Sequence, residues 1–396
     1  MKITIFSQHF WPENFRINDL AFKLFENGFK VNVFTGKPNY PSGKIKKKYK
    51  GLLPKISKFK KVEIIRFPIL SRGESSYLRL SLNYISYIFS VSLLGFFYKK
   101  KFGDILFIYA TSPIFQAIPA ILFGKIFKIK IVLWVQDLWP HNLQDTGYIK
   151  NKLILLLIDF IVNKIYDLSD LILCQSDSFT NFINRKTKTK VKTFHNPSNY
   201  KFSVTKKRNK SGYFKIFYAG NLGRGQNLEN IIEIFKNKKI LKKKIRFVIY
   251  GSGKKYKPLK KIINNKKITN VFLNKAVSPK KLKEKMRNAD CFLLKLNDGP
   301  GLSKTIPAKF QTYLSFGKPI LSINKGTVSN LVNKFNVGYT CQNDSNLELT
   351  NLILNIKKLS KKKTEIIAKN SRNLFFSKFE INNSCKKLKK YLEELK

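Results

Sequence analysis

Acidic side chains are scarce in this chain: 23 Asp and Glu stand against 77 Lys and Arg in 396 residues, a formal charge of 77 − 23 = +54. So basic a balance first suggests nucleic acid, or the anionic face of a membrane, as partner. Arginine is scarce as well. Only ten of the 77 are Arg (16, 66, 72, 79, 185, 208, 224, 246, 287 and 372), and the rest are Lys. Interfaces that read nucleic-acid sequence lean on Arg, whose planar fork bonds base edges and phosphates two at a time. The lysines lie scattered among many Asn and Ile, the pattern of an AT-rich coding bias laid over an ordinary fold. Nucleic acid is therefore not the expected partner. Anionic lipid still is, at roughly 1 kcal/mol for each Lys or Arg near the surface.

Cysteine is rare too. Cys174, Cys291, Cys341 and Cys385 lie far apart with no paired spacing, which fits neither a zinc site nor a disulfide framework and suits a reduced cytoplasm. The three histidines form no His-Glu-x-x-His pattern, and no Ser-His-Asp order or Asp-rich metal motif occurs. Metal-assisted and serine-nucleophile hydrolysis have little support, and no metal site is expected. No signal peptide is expected, because Met1 leads directly into the strand KITIF.

Long uncharged runs are limited to one that matters. Residues 80–98, LSLNYISYIFSVSLLGFFY, carry no charge over nineteen positions and are followed by Lys99–Lys101. Length alone permits a membrane span. Four serines and Asn83 argue for a buried or half-buried helix of the first domain, with a helix lying in the membrane interface as the second reading.

What is present is alternation. Strand-like runs KITIFSQ, KVNVFTG, VEIIRFP, DILFIYATSP, KIVLWVQD and LILCQS are separated by helical stretches such as 17–27, 114–127 and 153–166. After the linker FHNPSNYKFSVTKKRNKSGYF the rhythm restarts with KIFYAGNLG, IRFVIYGSG, NVFLNKA, CFLLKL and KPILSI. Strands alternating with helices imply parallel sheets and right-handed crossovers. The expected architecture is α/β: two tandem Rossmann-like doubly wound domains, 1–196 and 197–376. In such sheets ligands sit at the carboxyl ends of strands, so a cleft between the domains is the expected site. The tail 375–396 reads as a single amphipathic helix.

Four constellations and one isolated acid could carry chemistry. FYAGNLGRGQN (217–227) places Gly220, Gly223 and Gly225 between a strand and a helix, where backbone can approach a phosphate and helix-start N–H groups attract its charge. Arg224 could supply a fixed cation there. VIYGSGKKY ends a second strand in Gly251-Ser252-Gly253 and could line the same cleft. In LSKTIPAKFQTYLSFGKP, Lys304 and Lys309 stand near a helix start. Cations there oppose the helix dipole, at a cost of ~0.3–1 kcal/mol that an anionic ligand would reverse. SQHFWPENFRINDLA gathers His9, Glu13, Arg16 and Asn18 after the first strand. His9 is either a base or a hydrogen-bonded structural histidine. Asp137, in IVLWVQDLWPHN, either caps its turn or faces a substrate.

FWPENFRINDLA, VFTGKPNYPSG, VLWVQDLWP, YAGNLGRGQNL and TIPAKFQTYLSFGKPIL, in this order, span nearly the whole chain. Together they resemble family-4 glycosyltransferases of the two-domain GT-B fold. More narrowly, they resemble the capsule, colanic-acid and O-antigen branch that contains fucosamine transferase-like proteins. The resemblance implies transfer of a sugar from a nucleotide diphosphate donor, with a UDP-sugar expected, without a metal or any cofactor besides that substrate. The acceptor would be a polyprenyl-diphosphate-linked saccharide. The protein would be cytoplasmic, peripheral on the anionic inner face of the plasma membrane. It implies donor binding by Asn221, Gly223, Arg224, Gln226, Gly251 and Lys309, acceptor binding by Glu13 and Arg16, and catalysis by Asp137 with His9. The final helix, 377–396, would pack back on the first domain. Two departures stand out: the family's paired glutamates are Lys304 and Thr312 here, and His141 replaces an acid after DLWP. A nucleotide-sugar epimerase of the same double fold is the alternative, and a basic nucleic-acid-binding protein a third.

Overall fold

Runs such as ILFIYA and KIVLWV are apolar at almost every position rather than at every second one, the mark of strands covered on both faces. The computed structural model describes residues 1–73, 76–145, 147, 149, 151–203, 212–223, 225–342 and 345–395. The chain divides into two compact units. One comprises 1–143, 149–199 and 381–396, and the other 144–148 and 200–380.

The first unit holds an eight-stranded sheet: β1 (Lys2–Phe6), β2 (Lys30–Gly36), β3 (Lys55–Phe59), β4 (Val62–Phe67), β5 (Ile105–Ala110), β6 (Lys130–Val135), β7 (Leu171–Cys174) and β8 (Val191–Thr193). Their order is β3-β4-β2-β1-β5-β6-β7-β8, so the winding reverses between β1 and β5. All pairs are parallel except β3 with β4. That hairpin was not legible, because Lys-rich KISKF buries none of its five residues and shows no apolar face.

One face of this sheet is covered by α1 (Arg16–Glu26) and by the last helix, Ile381–Glu393. The other is covered by α2 (Tyr77–Leu94), α3 (Ile118–Ile126), α4 (His141–Asp145) at its edge, α5 (Lys152–Asp167) and the helix Asp177–Ile183. Local signals set several boundaries. Asn151 accepts from the N–H groups of Leu153 and Ile154 to cap α5, and Ser76 caps α2 through Arg79. Gly28, at φ +85°, ends α1 where a side chain would be strained.

The second unit holds β9 (Phe214–Asn221), β10 (Ile245–Ser252), β11 (Val271–Lys275), β12 (Cys291–Lys295), β13 (Ile320–Ile323) and β14 (Gly338–Cys341), all parallel. Their order, β11-β10-β9-β12-β13-β14, reverses between β9 and β12. Such reversals open a crevice at the strands' carboxyl ends. Both units are thus doubly wound α/β, as the alternation predicts.

The tail departs from expectation. It is two helices, Lys361–Lys378 and Ile381–Glu393, rather than one. The break falls at Phe379, whose N–H, with that of Glu380, folds back on the Phe375 carbonyl at 2.8 and 2.9 Å. Phe375 and Phe379 are anchored in the second unit's core, while Ile381, Cys385, Leu388 and Leu392 fill the first unit's.

Candidate functional site

In the second unit, three loops meet at the reversal. The loop after β9 is pinned to β10 by the Leu222 N–H to the Ser252 carbonyl at 2.8 Å. It also meets the loop after β12, where the Asn297 N–H donates to the Gly225 carbonyl at 2.9 Å. Gln226 accepts from the Gly223 N–H at 3.1 Å, so it shapes the glycine turn from within. Gly220 has φ +145°, and a Cβ there would lie 3.2 Å from Lys309 Nζ. Both Gly220 and Asn221 are exposed, so the strand end is open to a ligand.

Lys309, near the start of the helix Ala308–Leu314, donates to the Tyr218 hydroxyl at 2.7 Å and lies over that ring at 4.0 Å. Tyr218 in turn donates to the Asn221 carbonyl at 2.7 Å. One turn along the helix from Lys309, Tyr313 accepts from the Ala219 N–H at 3.0 Å and stacks on Phe292. Part of the Lys309 side chain reaches solvent, but the enclosure of its ammonium pulls its pKa down to about 7. The arrangement is a lysine held by Tyr218 at an exposed glycine turn, with Tyr313 tying the same helix to the strand end.

The structure brings Asn221, Gly223, Gln226 and Lys309 to one strand end. Arg224 lies outside the described residues. Gly251 has a packing role: it pairs in register with Gly220, and a Cβ on it would stand 2.2 Å from the Gly220 carbonyl oxygen. Lys304 turns to its own loop, donating to the Pro300 carbonyl at 2.6 Å, and the Thr312 hydroxyl donates to Ala308 at 3.2 Å. Neither offers the anchor a glutamate would. Asp145, placed in this unit, accepts from the N–H groups of Gly301 and Leu302 at 2.8 and 2.7 Å.

Sequence reasoning missed Tyr218 and Tyr313. Spacing carried a signal for both. Tyr218 is two residues before Gly220, on the same side of the strand, and Tyr313 is four after Lys309, on the same helix face.

In the first unit, Asp137 follows β6 and accepts from the Ser112 N–H at 3.1 Å, the Ser112 hydroxyl at 2.8 Å and the Asn142 amide at 2.9 Å. Burial pushes its carboxyl above the ordinary range, and these hydrogen bonds oppose that shift. Trp139 donates to the same Ser112 hydroxyl at 3.0 Å, so the turn is ordered around the acid. Tyr109, on β5, is within electrostatic reach of both Arg16 and Asp137, which follow β1 and β6, the strands on either side of β5.

His9 and Glu13 form a buried pair, with Nδ1 and Oε2 2.9 Å apart, and the His9 ring stacks on Phe15 at 4.9 Å. The other Glu13 oxygen accepts from the N–H groups of Asn39 and Tyr40 at 2.7 and 2.6 Å. The Glu13 side chain is buried with both oxygens hydrogen-bonded, so it orders the loop. Arg16 begins α1 and is half-buried beside Asp19.

Residues 200–374, nearly all of the second unit, match the family model described as Glycosyl transferases group 1. No curated protein sequence matches the chain. Among solved structures, sucrose-phosphate synthase from Thermosynechococcus elongatus is similar at 12% identity over 100% of this chain and 98% of its own, with a TM-score of 0.76. An Anabaena protein, HepE, solved in complex with UDP and glucose, is similar at 12% identity over 100% of both chains, TM-score 0.69. WaaG, a glycosyltransferase involved in lipopolysaccharide biosynthesis, is 13% identical over 98% of both chains, TM-score 0.66. At such identities the likeness is one of fold: two α/β domains of the GT-B kind.

Proposed function

We propose that the chain, whose residues 200–374 match the model described as Glycosyl transferases group 1, transfers a hexosyl group from a nucleotide diphosphate donor, a UDP-sugar, to a polyprenyl-diphosphate-linked saccharide. The pathway served is synthesis of an envelope polysaccharide, and the protein acts as a peripheral protein on the inner face of the plasma membrane. The observation that carries the reading is Lys309 held by Tyr218 beside Gly220, at the switch point of a doubly wound sheet. A cation and open backbone at that place suit a diphosphate.

In the transfer, the acceptor hydroxyl oxygen bonds to the anomeric carbon of the sugar. The bond from that carbon to the diphosphate oxygen breaks, and its electron pair leaves on the nucleotide. Lys309 meets that developing charge, supplying the positive charge a metal would bring, so we propose that no metal is needed. The acceptor proton goes to Asp137, whose raised pKa makes it a better base, with the His9–Glu13 pair as the second candidate. Arg16 is proposed to contact the acceptor.

Support for the donor class comes from the family match and from relatives solved with UDP and UDP-glucose. The similar structures are named as synthases and a transferase, which favours transfer over epimerisation. The test is a panel of UDP- and GDP-sugars with a short-chain polyprenyl-diphosphate sugar, reading nucleotide release. Release that requires both partners is expected. Absence of both binding and release across the panel would overturn the reading.

A further inference from the structure

One helix among the described residues, Leu78–Lys101, is long and apolar enough to cross a membrane by length and composition, yet only 22% of its apolar window is buried. Its inner side is committed to the protein. Tyr87 and Val91 are fully buried in the first unit's core. Asn83 donates to the Leu70 carbonyl and accepts from Gln8 at 2.9 Å, tying α2 to the ends of β4 and β1. A helix so tethered cannot also span.

Its outer side is apolar and unpartnered. Leu78, Leu82, Ile85, Phe89 and Leu93 recur at intervals of three and four, and Leu78, Phe89 and Leu93 are 70, 63 and 66% exposed. The pattern continues on the helices beside it, which cover the same face of the sheet. Ile118, Leu122 and Ile126 are exposed on α3, and Leu153, Leu156, Leu157 and Phe160 on α5. Contiguous apolar area of this kind marks an interaction surface.

The charge around the face identifies the occupant. Residues 77–103 and 114–130 contain no acid. Lys99 and Lys100 follow α2, Lys125 and Lys128 stand at the end of α3, and Lys152 opens α5, all exposed. Asp159 on α5 is paired with Lys186. A second copy set symmetrically against this face would bring lysine against lysine.

We infer that the outer faces of α2, α3 and α5 form a docking surface for an anionic lipid bilayer, on which the first unit lies without spanning. The apolar ridge enters the acyl boundary and the lysines meet the headgroups. The inference rests on the reading of a lipid-linked acceptor, and its test is separable from that reading.

The full chain is floated with phosphatidylglycerol-containing vesicles and with phosphatidylcholine vesicles. Binding to the anionic vesicles is expected. Phe89→Ser with Leu93→Ser should weaken it by about tenfold or more, with melting temperature and UDP-glucose binding unchanged. Ile85→Ser with Leu157→Ser provides a second ridge variant on two helices. Lys99→Glu with Lys100→Glu should weaken binding more than Lys257→Glu with Lys260→Glu, the same charge change on the second unit. Undiminished binding by both ridge variants overturns the inference. So do equal losses for the two charge variants, or a dimer that the ridge variants split without changing vesicle binding. Vesicle binding without binding of any UDP-sugar would sink the transferase reading and leave the docking surface standing.

Discussion

The Lys309 ammonium donates a 2.7 Å hydrogen bond to the Tyr218 hydroxyl, at the end of the strand that carries the glycine turn. The two residues are 91 positions apart. Their meeting turns a lysine that looked like one of many into a fixed cation facing open backbone.

Replacing that cation should separate binding from stability. Lys309→Met is expected to weaken UDP-glucose binding by about 10–100-fold, the ~1.5–3 kcal/mol of a hydrogen bond to a charged group. The melting temperature should hold or rise, since an enclosed ammonium is removed. Calorimetry beside a thermal melt reads both.

Donor binding should also depend on pH. The Lys309 pKa is lowered from 10.5 to about 7 by burial in the free protein, so above pH 7 the ammonium is mostly deprotonated. A diphosphate favours the charged form, and binding there must take up a proton. UDP-glucose affinity should therefore fall by up to about tenfold per pH unit above 7, and the trend should vanish in Lys309→Met. The stability sign runs the other way. Between pH 7 and 10.5 the unfolded chain binds the extra proton, so this group's contribution to stability rises with pH. A flat affinity profile in the unaltered protein would remove Lys309 from the diphosphate.

Asp137→Asn keeps the size of the side chain and its place beside Ser112 and Asn142. Transfer should drop about 10²–10⁴-fold, the range for loss of a general base, while UDP-glucose binding stays. Transfer rates under half-saturating and saturating acceptor separate a lost base from a lost contact.

Glu13→Ala should act on the first unit alone. The buried Asn39 N–H and the part-buried Tyr40 N–H lose their acceptor, the first at about 1–3 kcal/mol. The first unit should melt earlier, with UDP-glucose affinity unchanged. A lowered donor affinity at intact stability would show that Glu13 does more than order its loop.

Much of the glycine loop after β9 was legible because its chemistry is local. Gly220 and Gly223 follow a strand, and Gln226 closes the turn three residues beyond Gly223. Gly251 was legible as a glycine but not in its role, since only the register of β10 on β9 shows the carbonyl it must accommodate. Glu13 shows a similar limit: a carboxylate after a strand is legible, while its bonds to the Asn39 and Tyr40 N–H groups are not. In α2, composition was ambiguous among core, interface and span, and the structure adds that its Tyr87 side is buried while its Phe89 side is exposed.

The sequence by itself determined the two doubly wound α/β sheets and the placing of glycines, lysine and acid at strand ends. Hydrophobic periodicity and turn residues act over a few positions, and both sheets follow from them. Only the tertiary structure decided which side chains meet: Tyr218 with Lys309, Ser112 with Asp137, Phe379 at the break in the tail. These contacts join segments whose separation along the chain carries no periodic signal. Packing alone sets whether a lysine is solvated or enclosed and whether an acid is offered or already used.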